Sequence, residues 1–176
     1  MKICVADIVD ESIVDGPGIR MTIFMQGCPH HCPGCHNPHT HDPDGGYEVN
    51  VYEVIDKFRK NPLLDGITFS GGEPFEQPYA LQFLSSVVQT FGKTVWCYTG
   101  WTWEEILSDE KKRKALVCID VLVDGRFDVS QRSLAIPWRG SKNQRIIDVA
   151  KSLHNGKIVE WAAPRGPCGG ETEVGK

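Results

Sequence analysis

Ile67-Thr68-Phe69-Ser70-Gly71-Gly72-Glu73-Pro74 sets a short apolar run directly against a glycine pair. The chain then reopens at Pro78, with Leu81, Leu84, Val88 and Phe91 at helical spacing before Gly92. An apolar, partly β-branched run ended by glycine is the pattern of a buried strand, and a proline at the first helical position with a glycine past the last brackets a helix. The same order recurs on both sides of this stretch. Upstream, Met21-Thr22-Ile23-Phe24-Met25 reads as a strand ending at Gly27, and after a long loop Asn50 caps a helix carrying Val51, Val54, Ile55 and Phe58. Downstream, Thr94-Val95-Trp96-Cys97-Tyr98 reads as a third strand. Thr102 and Glu105 then form a capping box for a helix running into Lys111-Lys112-Arg113-Lys114, and Val117 to Val123 reads as a fourth strand interrupted only by Asp120.

Strands alternating with helices predict an α/β fold on a parallel sheet with right-handed crossovers. A complete eightfold barrel takes about 250 residues, so a chain of 176 is expected to form an incomplete, TIM-like barrel. Beyond Ser130 the pattern weakens. Gln144 to Val149 and Lys157 to Trp161 are strand candidates, and the Gly- and Pro-rich residues 164–176 read as a flexible tail behind a single domain of residues 1–163.

Composition narrows the function. Apolar residues make up 40% of the chain and charged residues 24%, enough for a core and unlike a disordered sequence. A net charge of −4 argues against a domain that holds nucleic acid or an anionic membrane through bulk charge. No apolar run has the length of about 20 residues that a spanning helix needs, and Asp7 interrupts the stretch where a secretory signal would continue, so a cytoplasmic protein is expected. Of seven cysteines, Cys28, Cys32 and Cys35 crowd together while Cys4, Cys97, Cys118 and Cys168 are scattered. In a reducing compartment such a cluster reads as metal or redox chemistry and not as a disulfide framework. Cys97 and Cys118 fall in predicted strands as small hydrophobes, Cys168 lies in the tail outside any site, and Trp96, Trp101 and Trp103 read as core or rim packing.

Each chemically suggestive segment follows a predicted strand: the cysteine loop after the first, Ser70-Gly71-Gly72-Glu73-Pro74 after the second, Tyr98-Thr99-Gly100 after the third, Asp124-Gly125-Arg126 after the fourth. Sites of parallel α/β folds assemble at that edge. The loop Gly27-Cys28-Pro29-His30-His31-Cys32-Pro33-Gly34-Cys35-His36-Asn37 has the spacing Cys-x3-Cys-x2-Cys. Three thiolates are fewer than the four that close an ordinary iron-sulfur or structural zinc site, so a four-iron cluster held this way leaves one iron open. Alternatively, His30, His31, His36, His39 or His41 supplies a fourth ligand to a small zinc knuckle, a non-catalytic metal-binding or electron-transfer module. Gly71 and Gly72 let a ligand approach the backbone and Glu73 offers a carboxylate to an ammonium group, although the segment is equally a tight turn into a helix.

The run Asp15-Gly16-Pro17-Gly18-Ile19-Arg20, then Phe24-Met25-Gln26-Gly27-Cys28 with the cysteine loop and His36-Asn37, then Ser70-Gly71-Gly72-Glu73-Pro74, resembles the radical S-adenosylmethionine enzymes that activate glycyl-radical enzymes. Tyr98-Thr99-Gly100-Trp101, Asp120 to Phe127 and Arg139 to Arg145 look like the anaerobic ribonucleoside-triphosphate reductase activating proteins among them, and the likeness spans residues 10–149. It implies a radical SAM partial barrel in which Cys28, Cys32 and Cys35 hold a [4Fe-4S] cluster whose open iron is chelated by S-adenosylmethionine. Gly71, Gly72 and Glu73 would lie along the methionine amino group, the backbone of Gly34, Cys35 and His36 along the nucleotide, with Thr99 and Asp124 completing the pocket. An electron from a donor such as flavodoxin would cleave the cofactor, and the 5′-deoxyadenosyl radical would take a hydrogen from a glycine of the reductase. Asp15, Arg20, Arg139, Gln144 and Arg145 are candidate partner contacts, Asp15 and Arg20 being equally placed to brace the cluster loop or a turn. Many superfamily members carry an aromatic residue before the third cysteine, near the adenine; Gly34 stands there here, so another residue must fill that place. Pyruvate formate-lyase or another glycyl-radical enzyme is the alternative target of the same chemistry, and a small-molecule radical reaction such as deazapurine formation is a further one.

Overall fold

A computed structural model describes residues 1–163; the expected tail, with Cys168, lies outside the described residues. Its centre is a seven-stranded sheet of β1 (Lys2–Ser12), β2 (Arg20–Met25), β3 (Tyr47–Asn50), β4 (Gly66–Gly71), β5 (Thr94–Tyr98), β6 (Val121–Asp124) and β7 (Arg145–Asp148), in the spatial order β3-β1-β2-β4-β5-β6-β7. Strands β2, β4, β5 and β6 are parallel neighbours. The flanks are not: β1 pairs antiparallel with β2 and β3, and β7 antiparallel with β6. The α/β expectation holds, but the sheet is mixed instead of wholly parallel, and it does not close. Parallel pairing needs a crossover element. Residues 13–19 are too short to form one, and residues 125–144 contain only a single 3-10 turn, Val129–Gln131, so both connections return the chain antiparallel.

Helices α1 (Val51–Lys60), α2 (Pro78–Thr90), α3 (Trp103–Ser108) and α4 (Glu110–Leu116) join the strands, and α5 (Val149–Asn155) follows β7. Alternation along the strands gives the sheet two unlike faces. Met21, Ile23, Met25, Ile67, Phe69, Val95, Cys97 and Leu122 share one buried core with Val54, Phe58, Leu81, Leu84, Val88 and Ile106 of the helices. The alternate residues include buried Arg20, Thr22 and Thr68, with Trp96, Tyr98 and Val123 beside them under Trp138 and Trp161. This polar and aromatic face leads to the candidate site.

Three boundaries differ from the reading of the sequence. The helix after Thr102 breaks at Asp109, whose side chain accepts from the Lys111 and Lys112 N–H groups and starts a second helix; the capping box of Thr102 and Glu105 forms as expected. The fourth predicted strand begins at Val121, because Cys118 and Ile119 N–H donate back to the carbonyls of Ala115 and Leu116 in a turn. Cys118 is therefore half-buried in that turn. Lys157 to Trp161 makes only an isolated bridge, Glu160 to Ile147. Among the described residues no helix is long and apolar enough to cross a membrane.

Candidate functional site

The cysteine loop leaves β2 and lies across the ends of β4, β5 and β6. Its base is fixed by backbone hydrogen bonds: Gly27 N–H to Thr40 O at 2.9 Å, Cys28 N–H to His41 O at 3.1 Å, and Glu73 N–H to Gly27 O at 2.8 Å. Gly71 and Gly72 are required there by the neighbouring strand. At Gly71, with φ +88°, a Cβ would sit 2.7 Å from Met25 N, and at Gly72 it would sit 2.4 Å from Gly27 O. The glycine pair therefore lets the loop's root nest against the end of β4.

Cys28, Cys32 and Cys35 are half-buried free thiols. They line one recess of about 120 Å³ with Gly71, Gly72 and Thr99. Asn37 N–H donates to Cys35 Sγ at 3.4 Å, a contact that steadies a sulfur ligand. Burial raises the Cys28 thiol above its ordinary value, and the Glu73 carboxylate adds to the effect.

The nearby histidines are largely committed elsewhere. His30 uses both ring nitrogens, Nε2 with Glu73 Oε2 at 2.9 Å and Nδ1 as acceptor from Arg126 Nε at 3.2 Å. His31 and His41 face each other at 3.3 Å through their Nδ1 atoms, His36 packs on Phe127 at 5.0 Å, and His39 is exposed. His41 Nε2, buried and unpartnered, belongs to a residue that lines the same recess. Among the described residues, no three Cys, His, Asp or Glu side chains converge on a single ion, as a closed zinc site would need. A cubane instead takes each thiolate on a different iron. Three free thiols around one recess fit that donor set.

The two acidic residues expected in the pocket are both engaged by protein donors. Glu73 is fully buried and accepts from Phe75 N–H, Thr99 Oγ1, Gly100 N–H and His30. Asp124 is buried at the end of β6 and accepts from Trp103 N–H at 2.7 Å and from Arg145 Nε at 2.9 Å. The Glu73 side chain thus meets a buried network and not an open position for an ammonium group, and Asp124 serves the sheet's flank.

Beyond the recess a groove of about 820 Å³ extends along the polar face, from Cys35 and Gly71 past Tyr98 and Phe127 to Leu134 and Arg139. Asp15 lines it and accepts from Ser12 Oγ at 2.6 Å and Thr22 Oγ1 at 3.1 Å. Arg139 donates through Nη1 to Gln144 O at 2.9 Å, while its Nε is buried without a partner. Gln144 spends its side chain on Gly140 N–H, Ser141 N–H and Gly125 O, shaping the rim from within. Arg145 pairs with Asp124 and Glu104. Arg20 lies elsewhere: it is 1% exposed at the start of β2, the opposite end from the cysteines, so no guanidinium surface is left for a partner.

Phe127, Tyr98, Arg126 and Trp101 are site neighbours without an assigned role in the sequence reading, although Tyr98 and Arg126 fall in the strand-end segments singled out there and Trp101 reads as packing. At Gly34, φ +73°, a Cβ would lie 3.2 Å from Val129 Cγ2 and 3.6 Å from the Phe127 ring. Val129 and that ring together border the side of the loop where Gly34 offers no side chain, and the missing aromatic at Gly34 was the one signal pointing to Phe127. Tyr98 lines both recess and groove; burial raises its phenol strongly, with Asp15 adding to the effect.

A protein-family model described as a 4Fe-4S single cluster domain matches residues 14–147. The chain is 37% identical over 145 residues to the anaerobic ribonucleoside-triphosphate reductase-activating protein of Vibrio cholerae, covering 76% of this chain and 90% of that protein. It is 33% identical over 147 residues to the protein of the same name from Escherichia coli K12, with 75% and 90% covered, and 31% over 140 residues to that of phage T4, with 76% and 86% covered. Among solved structures, QueE from Escherichia coli superposes with a TM-score of 0.47 and 18% identity over 58% of this chain and 54% of that one.

Proposed function

The chain belongs to the family of anaerobic ribonucleoside-triphosphate reductase-activating proteins, and on that premise we propose how its residues carry out the activation of such a reductase. It is a radical S-adenosylmethionine enzyme with a [4Fe-4S] cluster. Cys28, Cys32 and Cys35 hold the cluster. Bound there, cluster and cofactor supply the one-electron cleavage and the hydrogen abstraction that leave a glycyl radical on the reductase.

The chain's own residues position and exclude. Gly71, Gly72 and the Glu73 backbone run along the methionine end of the cofactor, and Gly34, Cys35 and His36 along its nucleotide, where Phe127 supplies the aromatic face that Gly34 lacks. Thr99 closes the pocket between them, while Asp124, held by Arg145 and the Trp103 N–H, braces the strand end beside it without lining it. The open sheet, helix-covered on one face and grooved on the other, is read as the partial barrel of this superfamily. The groove's continuity with the recess carries the reading: Cys35, Gly71, Tyr98 and Phe127 line both, so a peptide lying beside Asp15 and Arg139 reaches the reacting centre from outside. A one-electron donor such as flavodoxin approaches from another side, where a hollow of about 660 Å³ shares Cys28 and His41 with the recess.

The test mixes the loaded protein, a reductant, S-adenosylmethionine and an anaerobic reductase without oxygen. A glycyl-radical signal on the reductase is expected, with 5′-deoxyadenosine released. Cofactor cleavage without that signal, together with a signal on pyruvate formate-lyase, would replace the target.

A further inference from the structure

We propose that the side chains of Glu73 and His30 form a pin that holds the Cys28–Cys32 arc of the cysteine loop against the strand ends, making both positioning residues for the cluster; this rests on the cluster assignment above. Each oxygen of Glu73 is occupied by two donors: Oε1 by Phe75 N–H at 3.0 Å and Thr99 Oγ1 at 2.8 Å, Oε2 by Gly100 N–H at 2.8 Å and His30 at 2.9 Å. That fills the four acceptor sites of a carboxylate. Three of the donors belong to the segments that follow β4 and β5. The fourth comes from the cysteine loop, 43 residues away, and it is the only one that the loop contributes.

The far side of the imidazole is fixed too. Arg126 Nε–H donates to Nδ1 at 3.2 Å, so the ring proton belongs on Nε2, facing Glu73, and the contact is a hydrogen bond with matched donor and acceptor. Trp101 meets the ring edge-to-face at 4.6 Å, and Arg126 lies 5.6 Å over Trp101 while pairing with Glu105. The His30 side chain is 4% exposed although it belongs to a surface loop.

Gly100 gives the clearest evidence that this seat is built for the imidazole. Its backbone is outside the left-handed region, so its conformation does not call for glycine. A Cβ there would lie 2.3 Å from His30 Cδ2 and 2.6 Å from Nε2. Gly100→Ala therefore acts by expelling His30.

The test compares the full chain with His30→Leu, His30→Gln, Gly100→Ala and Glu73→Gln. Two readouts are taken: the rate of iron loss to a chelator after anaerobic reconstitution, and amide hydrogen exchange of residues 28–35 in the cluster-free chain. His30→Leu and Gly100→Ala are expected to lose iron roughly tenfold or more faster, the scale for removing an outer-shell support, and to exchange faster in the loop. His30→Gln, whose amide can both donate to Glu73 and accept from Arg126, should restore most of both. Wild-type exchange and iron retention in His30→Leu and Gly100→Ala would overturn the pin. So would a Glu73→Gln variant that keeps its iron but binds S-adenosylmethionine more weakly, since that makes Glu73 a cofactor contact. If the parent chain takes up no iron and sulfide, the cluster assignment fails, while exchange in the cluster-free chain still decides the pin.

Discussion

Arg20 and Glu73 are buried charged side chains at opposite ends of the same parallel strands, and neither is paired with an opposite full charge. Arg20 donates to Thr68 Oγ1, Ile67 O, Pro17 O and both oxygens of Thr94, all on or beside the starts of the strands. Burial pulls its guanidinium down to about 10, which leaves it charged at neutral pH. Glu73 accepts from two turns and from the cysteine loop. One end of the sheet thus spends its buried charge on tying rigid elements to each other, and the other spends it on tying a functional loop to rigid elements. Damage at the first should appear as lost stability, and damage at the second as lost metal chemistry in a folded chain.

The sharpest separation comes from Cys32→Ala. It should abolish iron-sulfide uptake and 5′-deoxyadenosine release completely while the urea midpoint moves little, because the loop lies outside the core; retained cleavage would remove Cys32 from the ligand set. Arg20→Met asks the reverse question. It strands the Ile67 carbonyl, whose contact with the guanidinium is buried, at about 1–3 kcal/mol, and removes the half-buried bond to the Thr94 carbonyl at about 1 kcal/mol, for an expected loss of about 2–4 kcal/mol in urea unfolding. The soluble folded fraction should still take up iron. If that variant unfolds at the parent's urea midpoint, the base of the sheet does not depend on Arg20.

Arg145→Met tests an intermediate case, a buried carboxylate at the functional edge that does have a cationic partner. Asp124 keeps only the Trp103 N–H, and since Arg145 is 34% exposed the expected cost is about 1–2 kcal/mol. Cluster content should be unchanged if Asp124 serves the flank. The smallest effect is a pH dependence. Hydrogen bonding from Arg145 holds Glu104 below its ordinary carboxylate value of 4.5. A depressed folded value adds stability above the unfolded value and loses it as pH falls through the folded one. Stability measured downward from pH 4.5 should therefore fall more gently in Glu104→Gln than in the parent; parallel curves would remove this pair from the acid response.

The contrast between the two ends also explains how much could be read in advance. The central strands, α1, α2 and the cysteine loop were legible because each is a local pattern: an apolar run, a cap, a glycine after a helix. Strand β1 was not, because Asp7, Asp10 and Glu11 interrupt its alternation and only pairing on both sides makes it a strand. Asp109 was hidden inside a charged run that reads as continuous helix. The link from Glu73 to the cysteine loop could not be read because His30 lies 43 residues from Glu73, and Arg126, which fixes the far side of the imidazole, lies 96 residues from His30. Arg20 looked like a surface contact beside a glycine-rich turn, and only the closure of β4 and β5 over it shows that it is buried.

The central claim is a cluster held by three side chains of this chain, with one iron left for the cofactor. It is tested most directly by electron paramagnetic resonance of the anaerobically reconstituted, reduced protein, recorded before and after S-adenosylmethionine is added. The account predicts about four iron and four sulfide per chain and a spectrum that changes when the cofactor binds. Zinc without sulfide, or a cluster whose spectrum is indifferent to the cofactor because a fourth amino-acid donor fills its last corner, would contradict it.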